Sequence, residues 1–394
     1  MSPQRRTPGT TRIEDRWYSR DKQPTTRHGE GARWMLQWID NDGKRRSKSY
    51  ARKVDAKRHQ EAISSQFHKG TYINPDSAKI RLRELYNDWE NTLTTLSPSS
   101  ITTRTNTYKN HVEPHWGNHE IGAITKADIT SWVAELSRRR VGVPTIKNAV
   151  VVLRHILEYA VDRNYLHANP AQKVKTPKST TNRHIYLTVA QVEQLANNTT
   201  YLPDVIRVLA YTGLRWGELA ALEVADVDTT KRALYISKST SETRGKLYSG
   251  STKTSEARTV HYPSVLHNAL LEAVEGKAPS DLVFTSLHGS TLRGGNYRKR
   301  VFSPAVELCQ QQAIENQAPE FPTLTPHDLR HTAASLAISS GANVKAVQRM
   351  LGHASAAMTL DTYADLFPND LEAVAASMDA KIRAETSGSE SIDN

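Results

Sequence analysis

Two neighbouring stretches in the last quarter of the chain carry side chains that could act on a phosphate or a metal ion. The sequences TPHDLRHT and LGHASAAMTLDTY together hold three histidines, one arginine and one tyrosine. These residues are His327, Arg330, His331, His353 and Tyr363. Three interpretations compete: a metal site, a phosphate site and ordinary surface polarity.

The first stretch has the features of a helix start that binds an anion. Thr325 is the predicted N-cap, Pro326 the first helical residue and Asp328 the second member of a capping box. His327 and Arg330 are three positions apart and therefore share a face of the helix. The N-terminal end of a helix favours an anion. With a guanidinium and an imidazole added, this segment predicts a phosphate site.

The same stretch is a poor zinc motif. His327 and His331 are four positions apart, as in His-Glu-x-x-His, but the residue after the first histidine is Asp328, which the cap uses. Arg330 lies between the two histidines and would repel a cation. No cysteine or carboxylate cluster nearby supplies a third ligand. We therefore expect no metal site.

Two further cationic residues lie upstream. In YTGLRWGEL, Gly213 stands at a predicted helix end and Arg215 at the next helix start. Arginine suits a phosphodiester because its planar fork donates two parallel hydrogen bonds and stays charged. Lys253 lies in STKTSEAR at a predicted hairpin tip. Taken singly, a lysine there is typical of a solvated loop, and Tyr363 is typical of core packing.

Taken together, four motifs resemble one known family. TGLRWGELAAL, TKTSEARTV, HDLRHTAASL and LGHASAAMTLDTY occur in this order and closely resemble the tyrosine recombinases, the phage-integrase family of site-specific DNA recombinases. His331 and Glu218 also fit patterns common in the family. The family's signature of Arg, Lys, His-x-x-Arg, His and Tyr falls on Arg215, Lys253, His327, Arg330, His353 and Tyr363.

The resemblance implies a transesterification on DNA. Tyr363 would attack a phosphodiester to give a 3′-phosphotyrosyl link and a free 5′-hydroxyl, with no ATP and no other cofactor. Arg215 and Arg330 would neutralise the non-bridging oxygens. Lys253 would protonate the leaving 5′-oxygen.

The resemblance also suggests roles for the histidines. His327 would take the tyrosine proton and His353 would hydrogen-bond the phosphate, although the division of labour between them stays open. Glu218, about one helical turn after Arg215, would orient an arginine rather than react.

Composition limits the class of protein. The chain has 394 residues, enough for two or three domains. Cys309 is its one cysteine, so no intrachain disulfide is possible, and its helical context predicts buried packing. No apolar run approaches the roughly 18 residues that a membrane helix needs, and the N-terminal segment lacks the apolar stretch of a signal peptide. These features favour a reducing cytosol, and the family resemblance implies the cytoplasm of a bacterial host, on the nucleoid.

Positive charge is concentrated at one end of the chain. Residues 1–80 hold 18 Lys and Arg against 9 Asp and Glu, a net charge of +9, whereas the whole chain carries +11. A basic module on a nearly neutral body indicates contact with a polyanion. Nucleic acid fits better than a membrane, because the segment lacks a basic amphipathic helix with bulky apolar residues.

The first module, predicted at 1–75, reads as a small sheet with one helix. NDG is a hairpin signal between two strands, and the following helix ends at Gly70. A two-stranded ribbon can enter the major groove of DNA, which would make this an arm-type DNA-binding domain like that of phage integrases. The alternative is a solvated basic edge that prevents aggregation. The candidate DNA contacts are Lys44, Arg45, Arg46, Lys48 and Arg52.

The second module, predicted at 76–172, reads as four helices. Ser97 with Pro98 and Thr125 with Asp128 mark two helix starts. The module is similar to the family's core-site DNA-binding domain, although a polar helical face alone is more often plain surface. The candidate contacts here are Arg104, Lys109 and Lys147.

The rest of the chain is predicted as a linker at 173–184, a catalytic domain at 185–370 and a tail at 371–394. The catalytic domain should be mainly helical, with a small antiparallel sheet whose long strand pair flanks the turn TSEA. In the tail, one apolar stripe is expected to pack either on its own domain or on a neighbouring protomer. The stripe consists of Leu371, Val374, Met378 and Ile382.

The overall expectation is a multidomain α+β recombinase, most consistent with the integrase of a temperate phage or related element. The family implies double-stranded DNA with core and arm sites as partner, and a homotetramer on two duplexes. Whether a host DNA-bending protein and an excision factor take part stays open. The alternatives are a resolving recombinase, a type IB topoisomerase and a non-catalytic DNA-binding regulator.

Overall fold

The structure is a computed structural model that describes residues 7–178, 184–251, 257–367, 375–376 and 378–383. The chain forms two compact units, Met1–Thr181 and Asn182–Asn394. Several predictions fall outside the described residues: those on Lys253, on most of the turn TSEA, on linker residues 179–183, and on Leu371 and Val374.

A three-stranded antiparallel sheet begins the first unit. Its strands are β1 (Thr11–Asp15), β2 (Trp34–Ile39) and β3 (Arg45–Tyr50), with β2 in the centre. The predicted NDG hairpin is confirmed: Gly43 adopts a φ of +76°, and its N–H donates to the carbonyl of Asp40. The register places Leu36 opposite both Ile13 and Lys48.

Helix α1 (Lys53–His68) packs on one face of this sheet. Ile63 of the helix is buried together with Leu36 and Trp38 of the central strand. The indole N–H of Trp38 donates to the Tyr72 hydroxyl at 2.7 Å. The strand alternation thus places Ile13, Leu36 and Trp38 on the face of the sheet that packs against α1.

Five helices follow in the same unit. A π-helical turn joins the second helix to the short third helix, so these two form one continuous helical segment. Counted in this way, the helices number four, which confirms the four-helix prediction. Both predicted caps form, at Ser97 and at Thr125 with Asp128. The core includes Trp116, Trp132 and other large apolar side chains. The helices are α2 (Leu82–Glu90), α3 (Pro98–Thr107), α4 (Glu113–Trp116), α5 (Lys126–Arg138) and α6 (Val143–Asp162).

The described part of the second unit is mainly helical. The helix Asp328–Ser339 packs against the helix Pro203–Thr212, and Cys309 is fully buried within the helix Ser303–Glu315, as predicted. The helices are α7 (Val189–Asn197), α8 (Pro203–Thr212), α9 (Trp216–Leu219), α10 (His267–Val274), α11 (Gly294–Tyr297), α12 (Ser303–Glu315), α13 (Asp328–Ser339), α14 (Val344–Leu351) and α15 (Ala356–Tyr363).

Two small antiparallel sheets lie in this unit, and their pairing differs from the prediction. One sheet has the order β4 (Val227–Asp228), β5 (Ala233–Ile236), β8 (Arg258–His261), and the other pairs β6 (Lys238–Thr243) with β7 (Lys246–Ser251). The strands on either side of TSEA therefore belong to different sheets. The reason is a tight turn at Arg244 and Gly245, both with positive φ, that closes β6 on β7.

The start of α13 also differs from the prediction. The helix begins at Asp328 with His327 as its N-cap, rather than at Pro326 with Thr325 as cap. The expected polar contacts nevertheless form, because the backbone N–H and hydroxyl of Thr325 donate to Asp328 Oδ2 at 2.7 and 2.8 Å. They close the turn that precedes the helix.

The architecture confirms the predicted α+β class, with a small sheet at the start, a helical region, and a helical unit that carries small sheets. Among the described residues, no helix combines the length and apolar character needed to cross a bilayer. In the tail, Met378 and Ile382 are exposed.

Candidate active site

Arg215 stands where α8 gives way to α9. Helix α8 ends at Gly213, whose φ of +69° lies in the left-handed region. A Cβ at this position would lie 2.7 Å from Leu351 and 3.3 Å from Ala333, so the close packing also requires glycine. Two residues later, Arg215 begins α9, where Glu218 accepts its backbone N–H at 3.0 Å and its Nη1 at 2.7 Å.

Arg330 is a buried cation on α13, only 4% exposed. Its Nη1 donates to the Gly213 carbonyl and its Nη2 to the Leu351 carbonyl, both at 2.6 Å. Burial and the nearby charge of Arg215 lower the pKa of Arg330 to about 9. The guanidinium therefore stays charged at neutral pH.

Three arginines converge on the C-terminal end of α14. The last carbonyl groups of a helix lack intrahelical partners and carry the negative end of the helix dipole. Here the three consecutive carbonyls of residues 350–352 each accept a hydrogen bond from a different arginine. The carbonyl of Met350 accepts from Arg258 Nε at 3.0 Å, and that of Leu351 accepts from Arg330 Nη2 at 2.6 Å. The carbonyl of Gly352 accepts from Arg215 Nη2 at 3.2 Å.

Glu218 links two of these arginines. It is 2% exposed, and its two carboxylate oxygens accept from Arg258 at 3.0 and 2.6 Å as well as from Arg215. Burial alone would raise the pKa of Glu218, but the hydrogen bonds and charges of Arg258 and Arg215 hold it below its ordinary value. The carboxylate is therefore ionised and fixes both guanidinium groups.

His353 follows the capped end of α14 directly. Its Nδ1 lies 3.0 Å from the Thr359 hydroxyl, which fixes the ring orientation. Burial, together with the charges of Arg330 and Arg215, lowers the pKa of His353 to about 4. The imidazole is neutral at physiological pH.

Tyr363 is the last residue of α15 and is 1% exposed. Its hydroxyl lies 2.8 Å from His331 Nδ1. Burial raises the pKa of Tyr363 to about 12, although the charge of Arg330 acts in the opposite direction. The phenol is therefore protonated until a base removes its proton.

Four histidines surround this phenol. His331 stacks on His184 with ring centres 4.2 Å apart and meets His327 edge-on at 5.1 Å. The ring of His353 lies parallel to that of Tyr363 at 6.3 Å. Burial and the two neighbouring histidines lower the pKa of His331 to about 4. Partial loss of hydration and the charge of Arg330 also lower the pKa of His327, which sits at the exposed N-terminal end of α13.

Five of the six residues of the predicted signature are described, and the structure brings them to one region of the second unit. The sixth, Lys253, lies outside the described residues. Three contributors were not assigned a catalytic role from the sequence: Arg258, His184 and His331. His331 was visible as the i+4 partner of His327, and Arg258 lies within the motif TKTSEARTV, whereas nothing in the sequence around His184 marks it.

The candidate DNA contacts of the first module differ in whether their side chains are exposed or held by other residues of the module. Lys44, Arg45 and Lys48 are exposed. Arg52 is exposed and pairs with Asp55 on the first turn of α1 at 3.0 Å. These side chains can reach a ligand without breaking the fold.

Arg46 is held within the module instead. It donates to Asp40 at 2.8 Å, to Asn74 at 3.0 Å and to Asp76. The ion pair with the fully buried Asp40 lies within the hairpin, and the contacts with Asn74 and Asp76 tie the hairpin to the segment after α1. The three contacts indicate a structural role for Arg46.

The candidate DNA contacts of the helical module also differ in the exposure of their side chains. Lys109 and Lys147 are exposed, whereas Arg104 is half-buried with its guanidinium 6.0 Å from the centre of the Trp89 ring. Within the described ranges, no group of three or more His, Cys, Asp or Glu side chains is arranged to hold a metal ion.

Comparison with family models gives a direct assignment. Residues 185–370 match the phage integrase family, and residues 81–137 match the N-terminal SAM-like domain of phage integrases. The chain therefore belongs to the phage integrase family of tyrosine recombinases, which are DNA strand-transferring enzymes.

Curated relatives carry the same assignment. The chain is similar to tyrosine recombinase XerD of Rickettsia conorii, with 27% identity over 264 residues, which covers 63% of this chain and 82% of the relative. It is also similar to the ICEBs1 integrase of Bacillus subtilis strain 168, with 26% identity over 312 residues, covering 72% and 80%. The chain is a site-specific recombinase of this family.

Solved structures share the fold. The Tn1549 transposon integrase in complex with a circular intermediate DNA superposes with a TM-score of 0.65 at 20% identity, covering 76% of this chain and 99% of that one. A lambda integrase tetramer bound to a Holliday junction gives a TM-score of 0.55 at 16% identity, covering 85% and 92%.

Proposed function

We propose that this protein integrates and excises a mobile element, most consistently a temperate phage, by cutting and rejoining DNA through a 3′-phosphotyrosyl link to Tyr363. The observation that carries the proposal is the convergence of Arg215 and Arg330 on adjacent carbonyls of one helix end. The phenol of Tyr363 lies in the histidine cluster of the same unit.

Arg215 and Arg330 stabilise the charge that builds on the phosphate. As the tyrosine oxygen adds to phosphorus, negative charge accumulates on the non-bridging oxygens. Two fixed guanidinium groups meet that charge without reorganisation, and each such donor contributes roughly 10²–10³ in rate. Their attachment to protein carbonyls and to Glu218 fixes them before DNA arrives.

The proton of Tyr363 passes to a histidine. His331 Nδ1 is within hydrogen-bond distance, and the neutral ring accepts the phenol proton in the tautomer whose Nδ1 is free. Bound phosphate raises the pKa of nearby histidines through its negative charge, which makes this transfer easier. His327, the acceptor implied by the family resemblance, contacts His331 and lies on the exposed side.

The leaving group needs a proton at the same time. As the bond from Tyr363 to phosphorus forms, the bond from phosphorus to the 5′-oxygen breaks, and Lys253 donates a proton to that oxygen. His353 donates a hydrogen bond to the phosphate. Rejoining reverses these steps with a 5′-hydroxyl of the partner strand, so neither ATP nor another cofactor is consumed.

The domain organisation that we propose is the one predicted from the sequence. An arm-binding domain spans 1–75, a core-binding domain 76–172, a linker 173–184, a catalytic domain 185–370 and a tail 371–394. Supporting this, the exposed cations Lys44, Arg45 and Lys48 lie in the first domain, and Lys109 and Lys147 lie in the second.

The active assembly is a homotetramer on two DNA duplexes in the cytoplasm of a bacterial host. The lambda integrase structure is a tetramer on a Holliday junction, and the same fold supports this assembly here. The tail docks on a neighbouring protomer, so deletion of residues 370–394 should spare DNA binding and weaken recombination. A host DNA-bending protein and an excision factor would set the direction of the reaction.

A resolving recombinase is the second candidate, because relatives such as XerD of Rickettsia conorii are named tyrosine recombinases rather than integrases. The basic module at 1–75 favours an integrase that bridges arm and core sites. Recombination that is unaffected by removal of this module would favour the resolving enzyme. Relaxation of supercoils without exchange between two sites would favour a topoisomerase.

The deciding experiment traps the covalent intermediate. Overlapping nicked duplexes that tile the DNA flanking the encoding gene are incubated with the full-length protein and run on denaturing gels. We expect a covalent protein–DNA band that Tyr363→Phe does not form and that EDTA does not affect. No covalent band on any duplex, with binding intact, would support a non-catalytic DNA-binding regulator.

A further inference from the structure

We propose that Arg258 is a positioning residue for strand transfer, which holds Glu218 and the end of α14 so that Arg215 faces the scissile phosphate. This inference rests on the proposed function. Arg258 is outside the six-residue signature, and it begins strand β8 rather than a helix of the site.

All three guanidinium nitrogens of Arg258 are engaged within the protein. Nη1 and Nη2 donate to the two oxygens of Glu218 at 3.0 and 2.6 Å, and Nε donates to the Met350 carbonyl at 3.0 Å. Its side chain is 10% exposed. Arg258 therefore acts through its neighbours rather than on the DNA.

Arg258 determines how Glu218 holds Arg215. Because Arg258 occupies both oxygens of the carboxylate, the side chain of Arg215 reaches only Oε1, through Nη1. Without Arg258, the buried carboxylate would draw Arg215 into the two-bond fork geometry that arginine and carboxylate prefer. That rotation would remove Nη2 of Arg215 from the Gly352 carbonyl and turn the guanidinium away from the phosphate.

The same side chain fixes the residue that precedes His353. Gly352 has a φ of +64°, and a Cβ added there would lie 3.0 Å from Arg258 Nη1. The guanidinium thus packs directly against the turn that leads from α14 to His353. Arg258 thus contacts Glu218, the end of α14 and this turn with one side chain.

The test uses two variants of the full-length protein, Arg258→Lys and Arg258→Met. Lysine keeps the charge but lacks the planar fork, so neither variant should restore the geometry. On the nicked duplex that wild type cleaves, we expect the single-turnover rate to fall about 10- to 100-fold, the cost of a small misplacement of catalytic groups. The Kd for DNA should be unchanged.

Arg207→Lys is the matched control. Arg207 is similarly half-buried, with a side chain 18% exposed, and binds Glu193 at 2.8 Å and Asp204 at 3.0 Å in the same unit. Its loss should lower thermal stability as much as Arg258→Lys does but leave the cleavage rate unchanged. Equal rates for Arg258→Lys and wild type would overturn the proposal.

A substrate with a methylphosphonate at the scissile position separates positioning from stability. This group lacks one negative charge, so loss of Arg215 should cost less on it than on phosphate. If Arg258 acts through Arg215, the defect of Arg258→Met should shrink in the same way as that of Arg215→Ala. An equal defect on both substrates would show that Arg258 serves stability alone. Wild-type protein that forms no covalent band would instead refute the proposed function and this inference with it.

Discussion

His331 Nδ1 lies 2.8 Å from the hydroxyl of Tyr363, in a unit where the phenol is 1% exposed. The ring of His331 is in turn stacked on His184 at 4.2 Å. The candidate nucleophile is therefore held by a neutral base before DNA binds. Since His327 is exposed and makes no hydrogen bond to the phenol among the described contacts, the geometry favours His331 as the first proton acceptor.

Replacing His331 with glutamine should slow cleavage. Glutamine can still hydrogen-bond the phenol but cannot take its proton, so we expect a loss of about 10²–10⁴-fold, the usual contribution of a general base. Single-turnover cleavage of the nicked duplex across a pH series measures this, and the variant should lose the acid limb of the profile.

His327→Gln is the comparison for that experiment. If His327→Gln loses the acid limb while His331→Gln cleaves at the wild-type rate, then His327 is the acceptor that the family resemblance implies. In that case the contact between His331 and Tyr363 serves only to orient the phenol.

The second unit should lose stability in mild acid. The pKa values of His331 and His353 are lowered to about 4 from an ordinary value of 6.5. Because the folded state resists protonation of these rings, their contribution is complete above about pH 6.5 and is lost as pH falls toward 4. Each histidine should cost roughly 2 kcal/mol at pH 5.

Hydrogen exchange of α13 and α15 at pH 7 and pH 5, corrected for the intrinsic pH dependence, measures this loss. The double variant His331→Gln, His353→Gln should show a smaller difference between the two pH values. Glu218 does not confound the comparison, since its pKa lies below its ordinary value of 4.5. Equal exchange in wild type at both pH values would contradict the prediction.

The sequence predicted two helix caps and the motif residues but not the contacts between them. Ser97 and Thr125 cap their helices as local patterns require, because capping depends on residues within one turn. The pairing of β8 with β5 could not be predicted in the same way, because partners of a strand are chosen by burial of residues such as Leu234 and Val260.

For the candidate site as well, the sequence predicted the motif residues but not the contacts that they make. The motif around Arg330 was recognisable, but its guanidinium binds carbonyls at Gly213 and Leu351, which are distant in sequence. Arg258 and His184 also contribute through long-range contacts, so no local pattern reveals their roles, although Arg258 lies within the motif TKTSEARTV. Arg46 illustrates the same limit, since its basic context predicts DNA contact whereas the structure pairs its guanidinium with Asp40 and Asp76.

Substitution of Arg330 should lower protein stability more than substitution of Arg215, whereas both substitutions should lower the cleavage rate to a similar extent. Arg330→Ala leaves the carbonyls of Gly213 and Leu351 without their arginine donors, at a cost of about 1–3 kcal/mol for each buried group. The side chain of Arg215 is 25% exposed, so Arg215→Ala should be milder. Each variant should lose roughly 10²–10³ in cleavage rate.

Thermal unfolding and single-turnover cleavage, measured on the same preparations, check this pair. Arg330→Lys adds a second comparison, because lysine keeps the charge but cannot reach two carbonyls with a planar fork. A stable Arg330→Ala protein would show that the two carbonyls have other donors.

Gly352→Ala should damage the site beyond its cost in backbone strain. Its φ of +64° disfavours alanine by about 1–2 kcal/mol, and the added Cβ would also press on Arg258 at 3.0 Å. Gly341→Ala is the matched control, since its φ is +87° and no atom lies within 4 Å of the added Cβ. We expect similar losses of melting temperature, but a loss of cleavage activity only for Gly352→Ala. Equal activity of the two variants would show that the packing of Arg258 against the turn before His353 does not contribute to cleavage.

Neighbouring arginines of the first module should respond differently to substitution. Arg45 is exposed, so Arg45→Ala should leave stability unchanged and weaken binding to duplex DNA. If it contacts one phosphate, the slope of log K against log salt should fall by about 0.9. Arg46→Ala should instead destabilise the sheet, because it leaves the buried carboxylate of Asp40 without its ion-pair partner. Salt titrations of DNA binding and thermal melts of the full-length variants measure both effects. A reduced salt slope for Arg46→Ala with an unchanged melt would mean that Arg46 leaves its ion pairs to bind DNA, as the sequence first suggested.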